Sequence, residues 1–206
     1  MSLKMNKPFR LLKKIGELLC HIKKENIQKY SRFNLYCQDE SRIGLLTMNH
    51  KALTIKGVKP VCKYQHKFES LYLFGAFSPI NGNHLLLEMP HCNTDNFQIF
   101  LNELSLMDKE EYKIILLDNG AFHKSKRLIL PDNIALIFIP PYSPELNPAE
   151  KVWWVLKRSL KNKFFEKMDD LMIAISSAAN KLSNKSIQQL TSYEYYKQAF
   201  WTTFNF

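Results

Sequence analysis

Residues 114–123 read IILLDNGAFH, an apolar run that changes abruptly into the polar tripeptide Asp118-Asn119-Gly120. A short, continuous apolar run bounded by a turn is typical of a strand that is buried on both faces. Residues 134–139, IALIFI, repeat this pattern. The sequence therefore predicts a covered sheet in which Asp118 stands where a central strand ends.

More strands are indicated upstream. Residues 33–37 alternate apolar and polar side chains, which predicts a strand that ends at or near Asp39. Residues 70–77 and 84–89 form a hairpin candidate because the Asn-Gly pair at 81–82 accepts the positive φ angles of tight turns. Together with the central strands, they predict an α/β fold with a mixed sheet.

Helices are predicted before, between and after these strands. Thr94 or Asp95 can cap a helix that follows the hairpin. Asn147 as N-cap and Pro148 at the first helical position open a late helix whose apolar face would hold Trp153, Leu156, Leu160 and Phe164. A further helix is expected over residues 169–182, and the aromatic tail 193–206 is expected to pack back on the domain.

An amphipathic basic helix is predicted over residues 8–29, with Leu11, Ile15, Leu18 and Ile22 at helical spacing. It could dock on the domain by its apolar face, or serve as a DNA-facing or dimerising arm. Residues 42–67 carry Gly and Pro breakers and five lysines. They predict a basic insert with short strands.

Composition indicates one globular domain with a polyanionic partner. The chain has 206 residues, 46% of them hydrophobic, and a formal net charge of +10. Residues 1–32 alone carry nine Lys or Arg against two Glu. Such a surface suits nucleic acid because each neutralised phosphate releases counterions, although a merely solvated lysine surface is the alternative.

Four widely spaced cysteines, Cys20, Cys37, Cys62 and Cys92, predict reduced thiols and no structural zinc. No apolar run reaches the roughly 20 residues that span a bilayer. We therefore expect no membrane partner.

Three carboxylates occupy places where α/β proteins build sites: Asp39 at a strand end, Asp118 at another, and Glu150 in the first turn of the late helix. Hard divalent cations bind such oxygen ligands and stabilise charge on both oxygens of a phosphodiester under attack. Each residue also has a structural explanation. Asp118 could form a turn, Glu150 a capping box with Asn147, and Asp39 an ion pair with Arg42.

Glu150 shares a helix face with Trp154, Lys157 and Lys161. This face suits contact with metal and phosphate groups. The equal alternative is a solvated lysine face with Trp154 buried against the tail.

Three blocks of sequence resemble the signature blocks of the DDE-type transposases of bacterial insertion sequences related to the mariner group. They are residues 38–42 (QDESR), 117–123 (LDNGAFH) and 140–150 (PPYSPELNPAE). The third is the most specific. The resemblance covers residues 33–165. It implies a ribonuclease H-like fold with a mixed five-stranded sheet and two Mg²⁺ or Mn²⁺ ions held by Asp39, Asp118 and Glu150.

The resemblance also implies a function. Such an enzyme cleaves DNA at transposon ends and transfers the 3′-hydroxyl to target DNA, as a homodimer in a bacterial cytoplasm in association with the nucleoid. Asn119 and His123 would support the site or position a phosphate. Tyr142 would stack on a displaced base or pack in the proline-rich loop.

This resemblance divides the chain into a basic helical arm (1–32), a catalytic domain (33–165) with a clamp-like insert (42–67), and a helical, aromatic tail (166–206). Two departures stand out. Asp118 and Glu150 are separated by 31 residues, which is slightly tight for the family. The usual N-terminal helix-turn-helix module is not recognisable, so we expect an end-binding domain or subunit to be supplied separately.

Two alternatives remain at this point. One is a catalytically inactive or domesticated DNA-binding protein with the same fold. The other is a ribonuclease H-like nuclease that acts on RNA or on junctions.

Overall fold

The structure is a computed structural model that describes residues 7–46, 55–59 and 65–204, with side chains described from residue 13 onward. Within these described ranges, six helices and five strands follow in order: α1 (Lys7–Asn26), β1 (Arg32–Gly44), β2 (Ser70–Phe77), β3 (His84–Met89), α2 (Thr94–Leu106), β4 (Glu111–Leu117), β5 (Ile134–Phe138), α3 (Ala149–Leu160), α4 (Met168–Ala179), α5 (Asn184–Thr191) and α6 (Glu194–Phe204). Two short 3₁₀ turns lie at Ala121–Lys124 and Pro144–Leu146.

The five strands form one mixed sheet in the order β3-β2-β1-β4-β5. The first three strands pair antiparallel as a meander, whereas β4 pairs parallel to β1 and β5 parallel to β4. The predicted mixed five-stranded sheet and the predicted hairpin are therefore confirmed. Strand β4 is buried along its whole length, as its apolar run predicted. Strand β5 lies at the edge of the sheet and three of its five residues are only half-buried, so the prediction that residues 134–139 form a strand buried on both faces is wrong.

Strand β4 shows why those runs were continuously apolar. Ile114 and Leu116 belong to the core cluster beneath α1 and α3–α6, and Ile115 and Leu117 belong to the cluster beneath α2. Alternate side chains of a strand point to opposite faces, so these four residues of β4, covered on both faces, are all apolar. Glu111 and Lys113 are also buried, nearer the start of the strand. The molecule thus has three layers, with the sheet in the middle.

Helix α1 docks on the domain by its apolar face: Ile15 and Leu19 are fully buried in the core. It ends at Asn26, three residues before the predicted end. Its C-terminal part meets α6, where Lys23 Nζ donates to the carbonyl of Thr203 at 2.8 Å. Phe33 stacks on Phe204 with 4.7 Å between ring centroids. The aromatic tail therefore packs back on the domain through α6.

Strand β1 is longer than the sequence indicated. It continues to Gly44 because its second half pairs with β2, from Cys37 opposite Phe77 to Gly44 opposite Ser70. Asp39 therefore lies inside the strand, and the prediction that it ends the strand is wrong. Residues 42–44 are strand rather than insert. Residues 47–54 and 60–64, which hold half of the predicted insert and Cys62, lie outside the described residues.

Three helices also differ from prediction at their ends. Asn93, not Thr94 or Asp95, caps α2 by accepting the N–H of Asn96. Helix α3 starts at Ala149 after Pro148 and ends at Leu160, so Phe164 lies beyond it and is exposed. The helix predicted over 169–182 ends at Ala179. A side-chain cap accounts for the start of α2, and helix ends are in general the least certain part of a helix prediction.

No helix in the described part of the chain combines the length and apolar character needed to cross a membrane.

Candidate active site

A cleft of about 460 Å³ opens where the central strands end and α3 begins. Asp39, Asp118 and Glu150 all line it. The loop after β5 forms much of its remaining wall, through residues 139–144. The structure therefore brings the three predicted carboxylates together at one site, from β1, from the end of β4 and from the first turn of α3.

Asp39 is held by an indole. Trp153 Nε1 donates to Asp39 Oδ2 at 2.9 Å. The residue opposite Asp39 on β2 is Gly75, and a Cβ there would lie 2.6 Å from Trp153 Cη2. Glycine at this position therefore leaves room for the indole to approach β2. Arg42 does not pair with Asp39; its Nε donates to Ser70 Oγ at 2.9 Å.

Burial raises the pKa of the Asp39 carboxyl to about 8. The negative charges of Glu40 and Glu150 raise the pKa further, while the hydrogen bonds from Trp153 and from the backbone of Glu40 lower it. Desolvation and like charges both disfavour the charged form. A divalent cation bound beside Asp39 would favour the charged carboxylate and lower this pKa.

Asp118 follows β4 directly and its side chain is 56% exposed. Its Oδ1 accepts the backbone N–H of Gly120 at 2.8 Å. Asp118 therefore does form the turn that its sequence context suggested. The turn and the site are compatible, because the turn uses one carboxylate oxygen and the residue still lines the cleft.

Glu150 is exposed at the start of α3 and makes no side-chain hydrogen bond within the described chain. The capping-box explanation is therefore wrong. Asn147 instead fixes this helix start: its Oδ1 accepts from the N–H of Ala149 at 3.2 Å, and its Nδ2 donates to the carbonyl of Gln38 at 2.9 Å. The second bond ties the helix that carries Glu150 to the strand that carries Asp39.

Asn119 and Tyr142 both line the cleft. Asn119 Nδ2 donates to the carbonyl of Ile139, and its Oδ1 accepts from Lys124 Nζ. Asn119 thus joins the loop after β4 to the end of β5. Tyr142 is fully exposed and has a φ of 54°, a conformation that bulky residues rarely adopt. Packing does not account for the position of its ring.

The outer face of α3 continues from Glu150. Trp154 is 55% exposed, so the alternative in which the tail buries it is wrong. The guanidinium carbon of Arg158 lies 5.1 Å from the Trp154 ring centroid, within cation–π range. Lys157 and Lys161 are half-buried. This face offers an aromatic surface beside positive charge.

His123 is buried, and its ring contacts those of Phe97 and Phe122 at centroid distances of 4.5 and 4.0 Å. Its Nε2 lies 3.1 Å from Oε1 of Glu40, and that oxygen also accepts from Gln38 Nε2 at 2.6 Å. The position of His123 is thus a supporting one.

The sequence did not predict a role in the site for two of these residues. Trp153 was assigned only to the apolar face of its helix, and Glu40 was quoted only as part of a motif. The available signals were weak. Trp153 stands three residues after Glu150, and Glu40 directly follows Asp39.

The donor set fits a hard divalent cation in an open site. Within the described residues, no three His, Cys, Asp or Glu side chains converge tightly enough to form a ready cage. Mg²⁺ dehydrates reluctantly and is commonly held by one or two carboxylates together with water and substrate phosphate. Three carboxylates spread around a cleft, one of them with a raised pKa, match that mode of binding.

Comparison with solved structures supports the fold assignment. A Mos1 mariner paired-end complex with Mn has a TM-score of 0.63 and 15% identity, over 100% of this chain and 65% of that chain. The catalytic domain of Mos1 mariner transposase has a TM-score of 0.56 and 13% identity, over 98% of this chain and 96% of that chain. The chain thus spans about 65% of the longer Mos1 chain. The predicted ribonuclease H-like fold is confirmed.

Sequence comparison identifies the family. An uncharacterized protein, y4pE/y4sA of Sinorhizobium fredii (strain NBRC 101917 / NGR234), is 39% identical over 113 residues, which is 54% of this chain and 84% of the relative. A family model described as DDE superfamily endonuclease matches residues 34–172, which is more than half of the chain and includes all three carboxylates. The chain therefore belongs to the DDE superfamily of endonucleases.

Proposed function

We propose that this chain is the catalytic domain of a DNA transposase, which cleaves DNA strands at transposon ends and transfers the 3′-hydroxyl to target DNA. One observation carries the proposal: Asp39, Asp118 and Glu150 line a single cleft in a chain of the DDE endonuclease family. The likeness to Mos1 complexes with DNA ends supports it at the level of the fold.

Asp39, Asp118 and Glu150 would hold two Mg²⁺ or Mn²⁺ ions. When bound, such ions neutralise charge on the attacking and leaving oxygens of a phosphodiester. The chain itself contributes orientation. Trp153 fixes one oxygen of Asp39, the Gly120 N–H fixes one oxygen of Asp118, and Asn147 holds the start of α3 against β1.

We assign the DNA contacts to the rim of this cleft. Tyr142, fully exposed and held at a positive φ, would stack on a base near the cleaved bond. Trp154 with Arg158, and the neighbouring Lys157 and Lys161, would meet the backbone along α3. Asn119 would keep the two loops of the rim together.

The proposal includes partners. The active form would be a homodimer, and a helix-turn-helix domain or subunit would supply recognition of transposon ends. The support is that Mos1 forms paired-end complexes and that this chain spans about 65% of the Mos1 chain in one of them. The division into an arm (1–32), a catalytic domain (33–165) with the insert 42–67, and a tail (166–206) belongs to the same proposal.

Nicking of supercoiled plasmid DNA tests the activity. We expect conversion to open circles with Mg²⁺ or Mn²⁺ and none in chelator, and a loss of at least about 100-fold in rate for Asp118→Asn, since the amide cannot replace a charged ligand. An Asp118→Asn variant that nicks as fast as wild type would contradict the proposal. Faster cutting of RNA or of junctions than of duplex DNA would favour the ribonuclease H-like alternative.

A further inference from the structure

We propose that Gln38, Glu40 and His123 form a brace that orients the Asp118 carboxylate for metal binding from the side of the sheet opposite Asp39. This inference rests on the proposed function of the cleft. It assigns positioning roles to two residues of β1, Gln38 and Glu40, and to one of the loop after β4.

Alternation along β1 places the brace. Asp39 meets Trp153 on the α3 side, so its neighbours Gln38 and Glu40 point to the α2 side. There Gln38 Nε2 donates to Glu40 Oε1 at 2.6 Å, and His123 Nε2 lies 3.1 Å from the same oxygen. Strand β1, which carries Asp39, therefore also contacts His123, the residue that lies beside Asp118.

His123 completes the connection. Its side chain is 1% exposed, and the rings of Phe97 and Phe122 fix its plane. Its Nδ1 lies 3.0 Å from Asp118 Oδ1 and makes no hydrogen bond, so the ring confines this carboxylate oxygen by close contact. A Cβ at Gly120 would come within 3.0 Å of this nitrogen and 3.1 Å of this oxygen, so glycine leaves room for the close approach.

The consequence concerns Asp118. Its side chain is 56% exposed and would otherwise exchange between rotamers. Both contacts, from the Gly120 N–H and from His123, fall on Oδ1. The remaining oxygen is thereby left available to a ligand in the cleft. Groups that support a metal ligand in this way commonly change metal affinity by about 10- to 100-fold when removed.

Mn²⁺ binding without DNA, followed through the free-ion paramagnetic resonance signal, tests the brace apart from activity. We expect Glu40→Ala and His123→Ala to weaken binding by about 10- to 100-fold. Glu40→Gln keeps an acceptor for His123 and Gln38 and should restore most of the affinity. His123→Asn places its amide where Nδ1 lies and should bind better than His123→Gln, whose amide reaches only toward Glu40.

Two controls separate positioning from general destabilisation. Ile115→Val removes a methyl group from a buried side chain on β4, in the core cluster that also contains Phe97. This variant should leave Mn²⁺ affinity unchanged. Duplex DNA affinity in chelator should match wild type in the brace variants, since both side chains are largely buried.

Wild-type affinity for Mn²⁺ in both alanine variants would overturn the brace while leaving the proposed function intact. If the alanine variants bind Mn²⁺ more weakly but the wild-type protein never nicks DNA, the brace stands and the proposed function is overturned. A wild type that binds no Mn²⁺ would overturn both.

Discussion

At the scale of single residues, Asp39 carries a conflict between folding and function. Its carboxyl is buried beside Glu40 and Glu150, which raises its pKa to about 8. In the unfolded chain the same group has a pKa of about 3.9. The folded protein therefore holds a proton that the unfolded chain releases, and stability without metal must fall as pH rises between these two values.

This conflict gives a prediction for Asp39→Asn. The amide oxygen can still accept the Trp153 N–H, but the group no longer titrates. In chelator, the melting temperature of wild type should fall between about pH 4 and about pH 8, and that of the variant should fall less. Thermal unfolding across that range measures the difference. Parallel curves for the two proteins would contradict the assigned environment, and Asp132→Asn, at an exposed site, serves as control.

Gly75 matters at the same scale because it leaves room for the indole that holds Asp39. In Gly75→Ala the new methyl group would meet Trp153 and Phe77 at under 3 Å. We expect a loss of about 1–3 kcal/mol in stability, the usual cost of overpacking. We also expect weaker Mn²⁺ binding, because a displaced indole no longer donates to Asp39. Chemical denaturation and Mn²⁺ titration would check the two effects, and unchanged Mn²⁺ affinity would count against the role of Trp153.

At the scale of elements, the strands of the sheet could be predicted from the sequence, but the extent of strand β1 around Asp39 could not. The run at 114–117 indicated a strand buried on both faces, because it is short, bounded by a turn and shows no amphipathic pattern that would leave one face exposed. The extent of β1 beyond Asp39 depends on pairing with β2, and its polar residues gave no apolar alternation to follow.

The contacts that position the carboxylates join residues that are far apart in the sequence. Trp153 reaches Asp39 across 114 positions, and His123 reaches Glu40 across 83. No periodicity in a single sequence encodes such pairs. The three carboxylates themselves were found through their order within family blocks, not through their local chemistry, since each also suited an ordinary structural role.

The link between α3 and β1 offers a test at this scale. Asn147→Ala removes the bond to the Gln38 carbonyl and the cap at Ala149. Leaving a buried carbonyl unpaired costs about 1–3 kcal/mol, and a loosened helix start should lower the nicking rate of the folded protein as well. Asn184→Ala, at the exposed start of α5, is the matched control and should change neither the stability nor the nicking rate. Equal nicking by Asn147→Ala would show that Glu150 does not depend on this anchor.

At the scale of the whole molecule, charge decides how the chain meets its substrate. With a formal net charge of +10, duplex DNA affinity should fall steeply with salt. Each phosphate contact contributes about −0.9 to the slope of log affinity against log salt, so several contacts predict a slope steeper than about −3. Fluorescence anisotropy over a salt series measures it. A nearly flat slope would contradict a DNA-binding surface.

The central claim is that Asp39, Asp118 and Glu150 together bind the divalent ions of a DDE endonuclease. Anomalous diffraction from crystals grown with Mn²⁺ and a short DNA duplex tests it most directly. We predict two peaks in the cleft, about 3.5–4 Å apart, coordinated by oxygens of these three residues. Manganese peaks found only elsewhere on the protein, with the cleft empty, would contradict the account.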